Sequence, residues 1–219
     1  MKNLLYLFGP TMMIYIGLSH FRSIPITFTL FYGWLLLIPL ATYYKNSRLR
    51  DMFILSFQKG FTSKSLIIGL VTGAISLIAI FSSVYLLQGF LFDVDRLSEV
   101  LVEWGFSGIN VWSFIVVLIL INPFLEEWYW REFMHVRLMP SLGGKRTVLV
   151  TSFFYALYHL LSLIPMFVFP FNLIAAIPVF GAGLLWGYFR LKFSSILPSI
   201  LSHVLADIGI IFVYLYYIM

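Results

Sequence analysis

The side chains able to do chemistry in this sequence are few and stand in an apolar background. Glu126 and Glu127 are adjacent within Asn122-Pro-Phe-Leu-Glu-Glu-Trp-Tyr-Trp-Arg131, His159 closes Tyr155-Ala-Leu-Tyr-His159, and His203 precedes Asp207 by four residues. Carboxylates and imidazoles exchange protons near neutral pH, and this set of oxygen and nitrogen donors is also of the kind that holds Zn²⁺. Their surroundings make them informative. A charged residue at the centre of a membrane helix costs roughly 2.5–3.5 kcal/mol on insertion scales, so an acid inside such a segment marks a functional site.

Spacing assigns the acids different work. Glu127 and Arg131 are four apart in the favourable acid-before-base order, which makes them a structural ion pair, while Glu126 points about 100° away around the helix. His203 and Asp207 share a face, so the carboxylate can fix the imidazole tautomer or share a ligand with it. Pro123 deprives the Ile119 carbonyl of its helical partner and predicts a kink one turn before Glu126. Counting 1.5 Å of rise per residue from the basic residues at the cytoplasmic ends, Arg137, Arg146 and Lys192, puts Glu126 about 16 Å deep, His159 about 20 Å and His203 about 16 Å. Three helices thus bring polar groups to one level.

The elements that position them are membrane helices. Of the 219 residues, 61% are hydrophobic, 19% aromatic and 11% charged, against about 25% charged in soluble chains. The expected fold is all-α, a polytopic bundle of about seven transmembrane helices forming one domain over residues 1–219. The apolar segments run over 3–20, 24–44, 65–91, 110–134, 147–169, 171–190 and 195–218, with Pro165, Pro170 and Pro178 favouring a kinked or re-entrant path near the sixth. Glu132, His20 and His135 fall near segment ends.

The formal charge of +5 comes from small basic groups between apolar runs, which are topology signals and not a nucleic-acid footprint. Lys45, Arg48, Arg50, Lys59 and Lys64 face Asp51 alone, whereas Asp93, Asp95, Glu99 and Glu103 face Arg96 alone. By the positive-inside rule the 45–64, Arg137/Lys145/Arg146 and Arg190/Lys192 regions are cytoplasmic, as is the N-terminus. Met52–Phe57 reads as interfacial, and residues 95–104 as an amphipathic helix on the outer face. The chain has no cysteine, which excludes disulfides, thiolate catalysis and cysteine metal sites. No His-Glu-x-x-His, Gly-x-Gly-Asp or Gly-x-Ser-x-Gly run is present.

These motifs resemble the CPBP intramembrane proteases, which include the type II CAAX prenyl endopeptidases and bacterial relatives linked to bacteriocin processing and immunity. The family pattern EExxxR, aromatic-xxxH and HxxxN or HxxxD is matched by Glu126-Glu127-Trp-Tyr-Trp-Arg131, by Tyr155 to His159 and by His203 to Asp207. Phe180-Gly-Ala-Gly-Leu-Leu-Trp-Gly187 and Ser195-Ile-Leu-Pro also look like the family. The resemblance covers about 115–210. Two positions depart from it: Tyr155 replaces a commoner Phe, and Asp207 stands where the CAAX proteases have Asn.

The resemblance implies hydrolysis of a peptide bond in a membrane-associated peptide or protein; the small size and minimal loops point to a prokaryotic enzyme of the cytoplasmic membrane, and the basic loops to a site opening toward the cytoplasm. Glu126 would activate water with His159 assisting, and His203 with residue 207 would stabilise the oxyanion. Glu127, Arg131 and Tyr155 would support them. No cofactor is expected, although Glu126, His159, His203 and Asp207 could hold Zn²⁺. Two other classes fit the same residues: a catalytically silent immunity or scaffold protein, and a proton-coupled transporter, which no inverted repeat supports. The lipid bilayer is the expected partner besides substrate; nucleic acid is not. Nothing in the sequence sets an oligomeric state.

Overall fold

Apolar runs of this length leave the backbone one way to satisfy its hydrogen bonds in lipid, as helices. The computed structural model describes residues 2–45, 51, 54, 62–87 and 93–219, and over these the protein is helical, with no strand. Helix α1 covers Lys2–Ile14 and continues through a wider π-helical turn, Tyr15–His20. Then follow α2 (Ile24–Tyr44), α3 (Ser63–Leu87), α4 (Val94–Glu103), α5 (Asn110–Leu142), α6 (Gly144–Met166), α7 (Phe171–Phe193) and α8 (Leu197–Ile218). Of the expected interfacial and basic loop residues, Arg48, Arg50, Met52, Phe53, Leu55 to Phe57 and Lys59 lie outside the described residues.

Among the described residues six helices, α2, α3 and α5 to α8, are long and apolar enough to cross a membrane. The first expected segment is helical throughout but carries Lys2, Asn3 and His20 at its ends and falls short of that measure. Two segments run further than expected. Helix α5 continues past residue 134 to Leu142 because Arg137 does not end it: the guanidinium lies over the rings of Tyr6 and Phe133, at 4.9 and 5.3 Å. Helix α7 is continuous from Phe171 to Phe193 despite Pro178, so Arg190 and Lys192 belong to its last turn.

Local signals set several ends. Ser23 caps α2, with Pro25 in the first turn, and Asp93 caps α4 by accepting from the Asp95 amide at 2.9 Å; both satisfy amides that a helix start leaves bare. The amphipathic α4 forms at Val94–Glu103, as its spacing predicts, and buries Leu97. Gly143, at φ 72°, makes the single-residue turn between α5 and α6, a conformation that favours glycine.

Close helix contacts replace the hydrophobic drive that lipid does not supply. Helix α3 lies along α8 through Gly69 and Gly73; a Cβ at Gly69 would stand 2.8 Å from the Pro198 carbonyl oxygen, and one at Gly73 2.7 Å from Leu205. The other faces of α3 expose Ile67, Leu70, Val71, Ile75 and Ile78, as a lipid-facing helix does. The core lies around α5, where Trp128, Tyr129, Trp130, Phe133 and Met134 are buried against Tyr155, Tyr158, Trp186 and Phe189.

Candidate active site

Helix α5 presents its acids between two departures from α-helical winding. A π-helical stretch, Val117–Ile121, precedes Pro123, and a second, Trp128–Met134, follows Glu127. Proline removes one amide and its ring crowds the carbonyl four residues back; a wider turn there relieves both. The expected irregularity before Glu126 therefore takes the form of a π-helical turn. Glu126, Glu127, Arg131 and Glu132 are all buried, at 2%, 0%, 1% and 1% exposure.

Glu127 is held from two sides. Arg131 Nε is 3.2 Å from Glu127 Oε2, the ion pair expected from the four-residue spacing. The guanidinium in turn lies over the Tyr155 ring at 4.6 Å and the Trp186 ring at 5.4 Å, and donates to the Gly183 carbonyl at 3.4 Å. The other oxygen, Oε1, faces His203 Nδ1 at 3.2 Å. This second contact was not evident from spacing. The His203 ring stacks on Trp186, centroids 4.2 Å apart and planes 20° apart, and this plane turns Nδ1 toward α5. Glu127 therefore holds Nδ1, and Asp207 stands on the Nε2 side of the ring.

His203 Nε2 points into the remaining carboxyls, 3.8 Å from Glu126 Oε2 and 3.6 Å from Asp207 Oδ1. Carboxylate oxygens thus face both ring nitrogens, within hydrogen-bond distance on the Nδ1 side only. Glu126 Oε2 makes no hydrogen bond within the protein although it is buried. The Tyr158 hydroxyl neighbours Glu126 and, like Oε2, makes no hydrogen bond within the protein.

His159 sits on α6 with its ring against Tyr155 and Tyr158, at 4.6 and 4.4 Å between centroids. Its Nδ1 is 2.9 Å from the Tyr155 carbonyl, which can only accept, so Nδ1 carries hydrogen and Nε2 is the nitrogen left to exchange a proton. No ion-pair contact joins His159 to Glu126. Asp207 Oδ2 accepts from Asn122 Nδ2 at 3.0 Å, and Asn122 Oδ1 accepts from the Tyr32 hydroxyl at 3.1 Å. The structure thus brings Glu126, Glu127, His203 and Asp207 into direct proximity, with Arg131 and Tyr155 behind them and His159 beside them. Among the described residues no group of three or more His, Cys, Asp or Glu is placed to hold a metal ion.

Sequence reasoning gave no role to Asn122, Tyr32, Tyr158 or Trp186. Asn122 was detectable as a lone amide in an apolar run, four residues before Glu126 and on its face; the aromatic residues were indistinguishable from core. Glu132, placed near a helix end from sequence, is instead buried, with Arg190 Nη2 3.0 Å from its Oε2. His135 is buried on the same stretch.

These features define a class: a membrane helix bundle with a buried carboxylate and imidazole site assembled from three spans. The model of the type II CAAX prenyl endopeptidase Rce1-like family matches residues 108–217, half of the chain and every residue of the site except Tyr32. The chain belongs to that family of membrane peptidases. No curated protein and no solved structure matches it.

Proposed function

We propose that this integral membrane protein is an endopeptidase that cleaves a membrane-associated peptide or protein with water activated by Glu126. The observation that carries this reading is the contrast at Glu126 Oε2: a buried carboxylate oxygen with no hydrogen-bond partner, facing His203 Nε2 at 3.8 Å. A general base needs an oxygen free to take a proton beside a group that stabilises the charge formed next. Glu126 removes the proton from water as the oxygen attacks the scissile carbonyl. The imidazolium of His203, fixed by Glu127 and Trp186, donates through Nε2 to the developing oxyanion. His159 Nε2 assists proton movement to the leaving amine. Asp207 orients and balances His203, and being acceptor-only when ionised it does not itself touch the oxyanion.

No metal takes part in this scheme. The site belongs to a cytoplasmic membrane, with access from the side where the basic residues concentrate, and the substrate is a leader, signalling or membrane-anchored peptide of a bacterium. The test uses purified protein in lipid nanodiscs with two quenched fluorescent reporters, a farnesylated CAAX peptide and an unprenylated peptide ending in a transmembrane anchor. Cleavage of the anchored peptide, unchanged by a chelator titration, is the expected result. Cleavage of neither overturns the reading, and loss of activity on chelation that zinc restores overturns the metal-free mechanism.

A further inference from the structure

The line of hydrogen bonds from Tyr32 through Asn122 to Asp207 belongs to no motif, yet it joins three helices and ends against the imidazole. Tyr32 lies on α2, Asn122 on α5 and Asp207 on α8, separated by 90 and 85 residues along the chain. Asn122 and Asp207 are both buried, at 7% and 8% exposure.

With Asp207 ionised, the line has a single polarity. An ionised Asp207 can only accept, so the Asn122 amide must turn its NH₂ toward Oδ2; this points the amide oxygen at Tyr32, whose hydroxyl donates to it. Each group is therefore fixed by the next. A carboxylate is otherwise free to rotate about its last torsion, which has broad, two-fold preferences. With Oδ2 tied to Asn122, the plane of the carboxylate is set and Oδ1 is left 3.6 Å from His203 Nε2.

Asn122 is also four residues before Glu126, so one face of α5 carries both the base and the group that orients the acid opposite it. Resting on the peptidase reading above, we infer that Asn122, seated by Tyr32, is a positioning residue for the hydrolysis. It holds Asp207 in the orientation that keeps His203 Nε2 aimed between Asp207 and Glu126.

The experiment exchanges the two partners. In nanodiscs, with the reporter that the wild type cleaves, Asn122→Asp sets two carboxylates face to face and lowers kcat about 100-fold with little change in KM, the size of effect that misplacing a reacting group produces. Asn122→Asp combined with Asp207→Asn restores a donor and an acceptor in reversed order, leaves the Tyr32 bond intact, and recovers about 10-fold of the loss. Tyr32→Phe lowers kcat a few-fold. The single charged variant and the exchange variant also have altered pH–rate profiles, a readout that a purely structural bond would not move.

A folded Asn122→Asp variant with wild-type kcat, or an exchange variant no better than the single one, overturns the inference. Where Asn122→Asp does not yield folded protein, the uncharged Asn122→Leu and Tyr32→Phe carry the test, and wild-type kcat and pH profile in both overturn it. A wild type that cleaves neither reporter removes the peptidase reading and this inference together. Active wild type with indifferent Asn122 variants removes the inference alone.

Discussion

Of the three carboxylates that helix α5 buries, Glu126 and Glu132 lie six residues apart, and their surroundings differ. Glu132 meets Arg190, whose Nε and Nη2 both approach the same oxygen, at 3.1 and 3.0 Å. Glu126 meets no arginine. Its neighbours are His203, Asp207 beyond it, the adjacent Glu127 and the hydroxyl of Tyr158. A charge desolvated at this depth persists only when something compensates it. At Glu132 a single arginine supplies the compensation; at Glu126 it is shared and leaves one oxygen without a hydrogen bond. What sets Glu126 apart on this helix is therefore not its burial but an oxygen without a hydrogen bond and with no arginine beside it, whereas Glu127 has Arg131 and Glu132 has Arg190.

That contrast can be broken at several points. The largest effect is expected at Arg131. Replacing it with Met leaves Glu127 buried without its cation, which costs about 3–5 kcal/mol and should abolish recovery of folded protein in detergent, as read by size-exclusion chromatography. Next is His203→Gln, which keeps a donor but not a cation. It should fold with a near wild-type melting temperature and lose about 100- to 1,000-fold in kcat, the scale of a missing oxyanion donor.

On the other side of the comparison, Arg190→Met should cost less than loss of Arg131, about 2 kcal/mol or below, because its side chain is 13% exposed and water can reach the pair. The double replacement of Glu132 and Arg190 by Met and Leu should recover most of the melting temperature lost in Arg190→Met and retain reporter cleavage, since a buried ion pair can be exchanged for packed apolar groups. Loss of cleavage in a folded double variant would mean that the Glu132 region takes part in the reaction. The smallest change is Tyr158→Phe, which removes one polar contact near Glu126 and should lower kcat a few-fold, in line with a net hydrogen-bond value of about 0.5–1.5 kcal/mol.

Much of this site is legible in the sequence. Ionisable residues in apolar segments are costly enough that each needs a reason, and the four-residue step from Glu127 to Arg131 is a local geometry that helical winding guarantees. The depth match of Glu126, His159 and His203 follows from rise per residue alone. What was not legible depends on how helices face one another. The rotation of His203 is set by stacking on Trp186, so its Nδ1 finds Glu127 on another helix instead of Asp207 on its own. The partnership of Glu132 with Arg190 was hidden because Arg190 reads as a basic loop residue, whereas α7 winds through it to Phe193. Tyr32 and Asn122 lie 90 residues apart, and no local pattern links them.

The same limits apply to the fold. Helix existence and type follow from the length and apolar content of each run. The packing of α3 on α8 depends on Gly69 and Gly73 meeting Pro198 and Leu205. Small residues at four-residue spacing suggest a close interface, but not which helix supplies the other side.

The central claim is that Glu126 reacts and is not merely buried. Its most direct test is the initial rate of reporter cleavage by Glu126→Gln in nanodiscs, measured on protein whose melting temperature and elution match the wild type. Glutamine keeps the shape and a polar oxygen but cannot take a proton, so the account predicts a fall of about 1,000-fold or more, within the range for loss of a general base. A folded Glu126→Gln variant that cleaves at the wild-type rate would contradict it.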